Sequence, residues 1–433
     1  LELVAKTVMR KKDFKTSGPK MSFESFLAED KGGKNLHLEH LEDEILNYGV
    51  DGGRAALNFL RSLRDMMAGA SRSSVNMTVK WDGAPAIFCG IEPETGDFFV
   101  AKKSVFNVNP KLYKTNAEID ADLSGALNSK FKVALAEFSK LGIKDVLQGD
   151  LMFTDDVESE TIDGTKYYTF QPNTIVYAVP TDSALGKTIN KAKVGIVWHT
   201  TYTGAALQDM KASFGANISS LNKPATVWMD DATYKDVAGK ATFTTTEAEK
   251  VSALLSSVGK TFQKINANGL RKFLTVQNGM TGAVAGASLK TYNNSKVRAG
   301  EIIKNPSAHA RGYEKWVEMS IQKQIDKAKS DKGKKKYTDM QKEYMREVRK
   351  HTGNLIQIIT FQNLLVESKM QIVKKLNSVK GLTDTFVKTK NGFKVTNPEG
   401  YVAIDRVSGG AVKLVDRMEF SYNNFTAIKA WDK

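Results

Sequence analysis

Four short stretches set charged side chains where strands would bury or half-bury them: Lys80-Trp81-Asp82-Gly83, Gln148-Gly149-Asp150, Glu399-Gly400 and Val412-Lys413-Leu414-Val415. The alternation of Val75, Met77 and Val79 with Asn76, Thr78 and Lys80 marks a strand with two different faces, so Lys80 points away from the apolar side. A lysine at a strand end beside a tight turn becomes a covalent nucleophile when desolvation or neighbouring cations lower its amine pKa. An exposed lysine before a hairpin would show the same local pattern. Asp150 stands in the otherwise apolar run 146–153, Glu399 at the mouth of the run 400–404, and Lys413 inside the run 411–415. A lone charge on such a strand costs free energy without a partner or ligand, so four of them imply a polar site lined by strand ends.

Composition narrows the chemistry. With 433 residues, 41% of them hydrophobic and 26% charged, the chain is globular and long enough for two or three domains. No apolar run approaches the ~20 residues that cross a bilayer, and no membrane partner is expected. The single cysteine, Cys89, excludes an internal disulfide and a thiolate cluster. The histidines (His37, His40, His199, His309 and His351) are scattered, which leaves carboxylates as the ligands for any ion. Lys and Arg number 63 against 48 Asp and Glu, and the net charge of +15 favours a polyanionic partner, nucleic acid first.

These residues need elements to position them. Residues 41–67 read as two helices separated by a glycine turn at 49–53, the second with Ala56, Leu60, Leu63 and Met67 on one face. The runs 74–80, 84–91 and 97–106 read as an antiparallel meander broken at Asp82-Gly83 and at 94–96. A helix is expected over 117–141, with Leu123, Leu127, Phe131, Leu135 and Phe138 on its buried stripe, followed by strands at 146–153, 167–170, 174–179 and 194–199. Beyond 204 the texture turns helical, with amphipathic segments at 247–270, 313–329 and 337–380. The run 321–350 holds 11 Lys/Arg against 5 Asp/Glu, a pattern that suits a phosphate backbone or a solvated helix face. Strands return at 385–390 and 393–395 around Asn391-Gly392, a hairpin signal, and at 400–405 and 410–415. The fold class expected is α+β.

Residues 1–20 are basic without the apolar core of a secretory signal and read as a tail, with Met21 as an alternative start. The next stretch, MSFESFLAED, resembles the capsid-targeting peptide of proteins packaged in T-even-type tailed bacteriophage heads. Such leaders end in a Leu/Ile-x-Glu tripeptide, here Leu27-Ala28-Glu29, and are cut by the prohead protease, here before Asp30. Phe23, Phe26 and Leu27 fit a first amphipathic helix equally well. The leader reading implies the virion interior and the infected host cytoplasm as locations, with the capsid interior and that protease as partners.

Taken in order along the chain, the four charged stretches resemble the motifs of the covalent nucleotidyltransferase superfamily, the polynucleotide ligases and messenger-RNA capping enzymes. The nucleophile motif looks like K80-W-D-G83, the acidic strand motif like Q148-G-D-L-M152, the Glu-Gly motif like E399-G-Y-V-A403 and the final lysine motif like V412-K-L-V415. The likeness covers about 75–200 and 393–425. It implies an antiparallel-sheet nucleotidyltransferase core with a large, mostly α-helical insertion. The divisions would be 1–29 tail and leader, 30–203 first part of the core, 204–384 mainly helical basic insert, and 385–433 final core strands.

Carried over residue by residue, the resemblance implies that Lys80 attacks the α-phosphate of ATP and becomes a lysyl-AMP. Lys413 would contact that phosphate, and Asp82 and Gly83 belong to the same nucleotide-binding motif. Glu399 would bind Mg2+ or Mn2+ directly or through water, and Asp150 would contact the ribose or hold metal-bound water. Tyr177 would stack on the base, with Phe170 second. The implied function is an ATP-dependent polynucleotide ligase joining 5′-phosphate and 3′-hydroxyl ends of RNA or nicked DNA.

Several departures shape this reading. Ala84-Pro85-Ala86 stands where many DNA ligases carry an arginine, which favours RNA over DNA; Lys102-Lys103-Ser104 is the nearest substitute for a second, arginine-containing motif. Val415 replaces the second lysine of the final motif. Within this sequence, 16 residues follow Arg417, too few for the oligonucleotide-binding barrel of a standard DNA ligase or capping enzyme. In the insert, Tyr313, Trp316, Tyr337 and Tyr344 suit strand binding or helix packing. Two rivals stand beside the ligase. One is a transferase that caps RNA or modifies protein, and the other is an inactive, phage-packaged nucleic-acid-binding or structural protein.

Overall fold

The two faces of β1 (Val75–Lys80) meet two different environments. In the computed structural model, Met77 and Val79 pack against a helical body, while Thr78 and Lys80 face a pocket. The structure describes residues 40–69, 75–234, 241–379, 381–389, 392–405 and 411–420, so the leader tripeptide Leu27-Ala28-Glu29 and Asn391 lie outside the described residues. Among the described residues no helix is long and apolar enough to cross a membrane.

The architecture is α+β, with several sheets and a large helical region. β1 does not continue into a meander with β2 (Ala86–Ile91), as the sequence reading had it; it pairs antiparallel with β14 (Gly400–Asp405), which pairs with β15 (Ala411–Leu414). The physical reason is the connection itself. Residues 81–85, with a cis Ala84–Pro85 bond, cross from one sheet to another instead of closing a two-residue hairpin.

The second sheet joins β2 to β3 (Phe98–Ala101) and β5 (Val146–Phe153); β3 pairs with β4 (Leu112–Tyr113), and β5 pairs with β9 (Val194–Thr203). β9 takes β10 (Lys211–Phe214) antiparallel and β11 (Val227–Asp230) parallel. A third sheet runs β13 (Gly392–Val395), β12 (Asp384–Thr389), β8 (Ile175–Pro180), β7 (Thr165–Phe170), β6 (Glu158–Ile162). β10 and β11 lie within the span read as insert, yet both extend the second sheet.

The first helix, α1 (Glu44–Met67), bends at Gly49, whose φ of 64° and ψ of −135° interrupt the helical path where the sequence places a turn. In place of one helix over 117–141 there are α2 (Asn116–Asp122) and α3 (Gly125–Phe138). Leu123 and Ser124 are extended there, and a Thr115/Glu118 capping box starts α2. Phe131 and Phe138 of α3 cover one face of the second sheet through Leu147, Ile196 and Trp198. A short α4 (Ala184–Ile189) follows β8.

The helical body comprises α5 (Thr245–Lys264), α6 (Ala267–Gly279), α7 (Leu289–Arg298), α8 (Pro306–Lys327), α9 (Asp331–Lys350) and α10 (Thr352–Leu376). α1 shares its core: Leu57, Leu60 and Leu63 pack with Leu255, Val258 and Phe273. Tyr401, Ala403, Val412 and Leu414 of the first sheet join that core too, so this sheet lies between the helices and the pocket.

A buried charge network fastens the two together. Lys369 of α10 donates to Glu42 at 2.8 Å, both almost fully buried, and Arg417, just past β15, reaches Asp43 at 3.2 Å and Glu42 at 3.5 Å. Burial alone would raise the Glu42 carboxyl, but Lys369, with Arg417, outweighs it and holds it at about 2. Burial, reinforced by Arg417, Lys369 and Lys413 against Glu42, keeps His40 neutral, with a pKa of about 2.

Lys369→Met is expected to lower unfolding free energy by about 3–5 kcal/mol by stranding Glu42, and adding Glu42→Gln should recover part of it in urea titrations. Both pKa values are depressed on folding, so the unfolded chain binds more protons in acid. Stability should therefore fall as pH drops below the ordinary histidine value, and more steeply below the ordinary carboxylate value.

Candidate functional site

The first two sheets face one another across a pocket of about 310 Å³, within the range of small-ligand sites. Strand register orders its walls. On the first sheet Lys80 lies opposite Gly400, and the next row toward the other end is Thr78, Val402 and Lys413. On the second sheet Ala86 pairs with Asp150, which pairs with Val197; the next pocket-facing row is Phe88, Gln148 and Thr200. The pocket therefore grades from a charged end at Lys80 and Asp150 to an apolar end at Ile404 and Phe214, where Phe214 packs on Val402 and Ile404.

Lys80 forms an ion pair with Glu399 across β1 and the β14 entry, their side chains 24% and 13% exposed. Burial opposes the ammonium, but the carboxylates of Glu399, Asp150 and Asp82 outweigh it and hold the Lys80 amine above the ordinary lysine value. Burial also pushes the Glu399 carboxyl up, with Lys80 and Lys413 pulling it back. Left alone, this lysine is a protonated partner of Glu399.

The turn after Lys80 is fixed from behind. The Asp82 carboxylate accepts the backbone N–H groups of Thr174 at 2.8 Å and Ile175 at 3.0 Å and the Asn173 amide at 2.7 Å. Its own backbone N–H donates to the Tyr177 hydroxyl at 2.6 Å. Burial raises the Asp82 carboxyl despite these donors. Gly83 is required by close approach: a Cβ there would lie 2.5 Å from the Asp150 Cβ. At Gly400, φ is +152° and a Cβ would lie 2.7 Å from the Leu414 carbonyl oxygen, so the residue after Glu399 must also lack a side chain.

Of the residues singled out from sequence, Lys80, Asp150 and Lys413 line the pocket, and Glu399 joins them through Lys80. Asp82 is buried behind the wall. Tyr177 and Phe170 are each 2% exposed and stack on one another, and Tyr177 lies against Trp81, so neither ring presents a face to the pocket.

Sequence reasoning missed His199. Gln148 pairs with Thr200 and Gly149 with Trp198, so His199 has no partner on β5: it is the extra residue of a β-bulge, a device that re-aims side chains beside functional sites. The bulge turns His199 and Thr200 both into the pocket, with His199 Nε2 3.7 Å from Asp150 and Nδ1 2.9 Å from the Thr200 hydroxyl. Nothing in the local pattern of β9 announces it. Lys103, noted only as the nearest basic substitute, also lines the wall.

Lys80, Lys103 and Lys413 are suited to phosphate oxygens. Among the described residues no three His, Cys, Asp or Glu side chains are grouped to hold a metal. Asp150 lines the pocket and Glu399 is paired with Lys80; magnesium ordinarily takes one or two carboxylates and completes its shell with phosphate oxygens and water.

Residues 35–429 match the model of a family of unknown function, DUF6267, and the chain belongs to that family. No curated protein and no solved structure matches it.

Gly83→Ala should displace Asp150 from His199 and destabilise the fold by about 1–3 kcal/mol through overpacking, read as a lower urea midpoint.

Proposed function

We propose that this member of DUF6267 is a covalent nucleotidyltransferase acting as an ATP-dependent polynucleotide ligase, on RNA ends in preference to DNA. The observation that carries the reading is convergence. Lys80, Asp150, Glu399 and Lys413, distributed over most of the chain, meet around one pocket between two sheets, with the Lys80 amine on Glu399. The resemblance in motif order alone could not have required that meeting.

The chemistry begins with the Lys80 ammonium losing its proton toward Glu399, whose oxygen already accepts its hydrogen bond. The neutral amine attacks the α-phosphorus of ATP. A P–N bond forms, the bond to the bridging oxygen of the β-phosphate breaks, and pyrophosphate leaves with that electron pair. Lys413, with Lys103 further along the wall, stabilises charge on the phosphate oxygens, a positioning and electrostatic role. A 5′-phosphate oxygen then takes the AMP from Lys80, and a 3′-hydroxyl displaces AMP to seal the ends. Magnesium or manganese, held by Asp150 and by Glu399 once its proton has passed to solvent, would neutralise phosphate charge. The base would lie toward Phe214, Val402 and Ile404, since Tyr177 is buried behind Trp81.

Intact mass after incubation with ATP and magnesium should rise by one AMP, and Lys80→Ala should abolish the gain while the chain still unfolds cooperatively, at a lower temperature because Glu399 loses its partner. A GMP adduct instead would point to capping. The absence of any adduct from nucleotide-free protein would leave the inactive binding scaffold. The pH profile is a separate check. Because Glu399, Asp150 and Asp82 raise the Lys80 pKa, adduct formation should keep rising through the alkaline range, and a plateau at neutral pH would contradict a protonated resting lysine.

A further inference from the structure

The tightest concentration of positive charge lies far along the chain from Lys80, at the turn between α8 and α9. Six of the ten residues in 327–336 are lysines: Lys327, Lys329, Lys332, Lys334, Lys335 and Lys336. All six are exposed, and among the described residues none has an ion-pair partner. Asp331 is the one carboxylate among them.

Folding gains nothing from this arrangement. α9 starts at Asp331 behind its N-cap Ser330, so Lys332, Lys334, Lys335 and Lys336 occupy its first turns, where the helix dipole is positive and cations are disfavoured. Like charges at this density repel one another as well. Elsewhere in the helical body Lys264, Lys296, Lys374 and Lys375 stand in last turns, where cations are favoured. A break in local consistency, confined to one exposed tip, is what a binding surface leaves.

The chemistry of the tip selects the partner. No large apolar side chain is exposed within it, so it lacks the wedge that a lipid-inserting surface uses. The outward face of α9 continues with Lys342, Arg346 and Lys350, interrupted by Asp339 and Glu343, which extends the cations into a track roughly 26 Å long at 1.5 Å per residue. Flexible, strongly hydrated lysines without a shaped cavity suit a string of phosphates and carry no base readout. Three of the insert's rings are engaged within the helical body. Tyr313 is fully buried, the Trp316 indole donates to the Gly286 carbonyl at 2.8 Å, and the Tyr344 hydroxyl donates to the Gly279 carbonyl at 3.0 Å.

We propose that the α8–α9 tip and the outward face of α9 bind the sugar-phosphate backbone of a polynucleotide strand without regard to sequence. As the place where the ligase substrate is held, the surface rests on the function proposed above; as a binding surface, it needs no chemistry at Lys80.

The test measures binding of fluorescein-labelled single-stranded RNA, single-stranded DNA and nicked duplex homopolymers over a salt series. It uses the full chain, the Lys80→Ala variant and K332Q/K334Q/K335Q/K336Q. Each phosphate contact contributes about 0.7 to the log–log salt slope for single strands, so the fourfold variant should lose roughly 3 from the slope and bind about tenfold or more weakly at low salt. Replacing the same lysines by arginine should preserve binding. Glutamine keeps helix propensity, so thermal stability should hold or rise. Lys80→Ala should bind like the unmodified chain, which separates this surface from the catalytic reading. An unchanged slope and affinity in the fourfold variant would overturn the proposal. So would anionic phospholipid vesicles binding through these lysines while all three nucleic acids fail to bind.

Discussion

The Asp82 carboxylate sets where Lys80 can be. A strand end is ordinarily free to fray, yet here the residue two positions on accepts two backbone N–H groups and an amide from the loop before β8, while its own N–H rests on the Tyr177 hydroxyl. Those bonds tie the exit of the first sheet to the third. With the exit fixed, Gly83 can pass against Asp150 on the second sheet, and the chain joins three sheets within a few residues. A charged group buried with only hydrogen-bond donors around it holds its place because moving it would leave several polar groups unpaired at once.

The resulting pocket is a balance of opposed charges. Lys80, Lys103 and Lys413 share it with Asp150, and Glu399 reaches it through Lys80. Lys103 is exposed, whereas Lys80 and Lys413 are half-buried and repel one another, and the carboxylates beside them make the arrangement tolerable. The same logic runs through the buried set of Glu42, Asp43, Lys369 and Arg417 on the far side of the first sheet, where the charges are satisfied internally.

Much of this was legible in the residues. The alternation in β1, the apolar run around Asp150 and the hairpin signal before β14 each carry their pattern locally, and the pattern survived folding because each strand has one face on a core. What was not legible is non-local. Nothing near residue 75 says that its strand will pair with 405 and not with the next strand along. The bulge at His199 exists because two registers meet on β9, and the burial of Tyr177 follows from Asp82 needing its hydroxyl. The division into core and insert blurs for a similar reason: α1 carries an amphipathic stripe that fits any apolar surface, and the surface it meets is contributed by helices some 200 residues later.

That interleaving has a consequence for the order in which the molecule can be made. The first sheet takes its strands from both ends of the chain, and Lys80 precedes its counter-charge by 319 residues. During synthesis Lys80, its turn and nearly the whole helical body leave the ribosome before β14 and β15 exist to complete the wall. Until then β1 has only the short bridge to residues 232–234 beside it, and the helical core lacks Tyr401, Val412 and Leu414. A nascent or prematurely ended chain therefore carries Lys80 without the complete pocket, and the wall around that lysine closes only in polypeptides whose translation has run through β15.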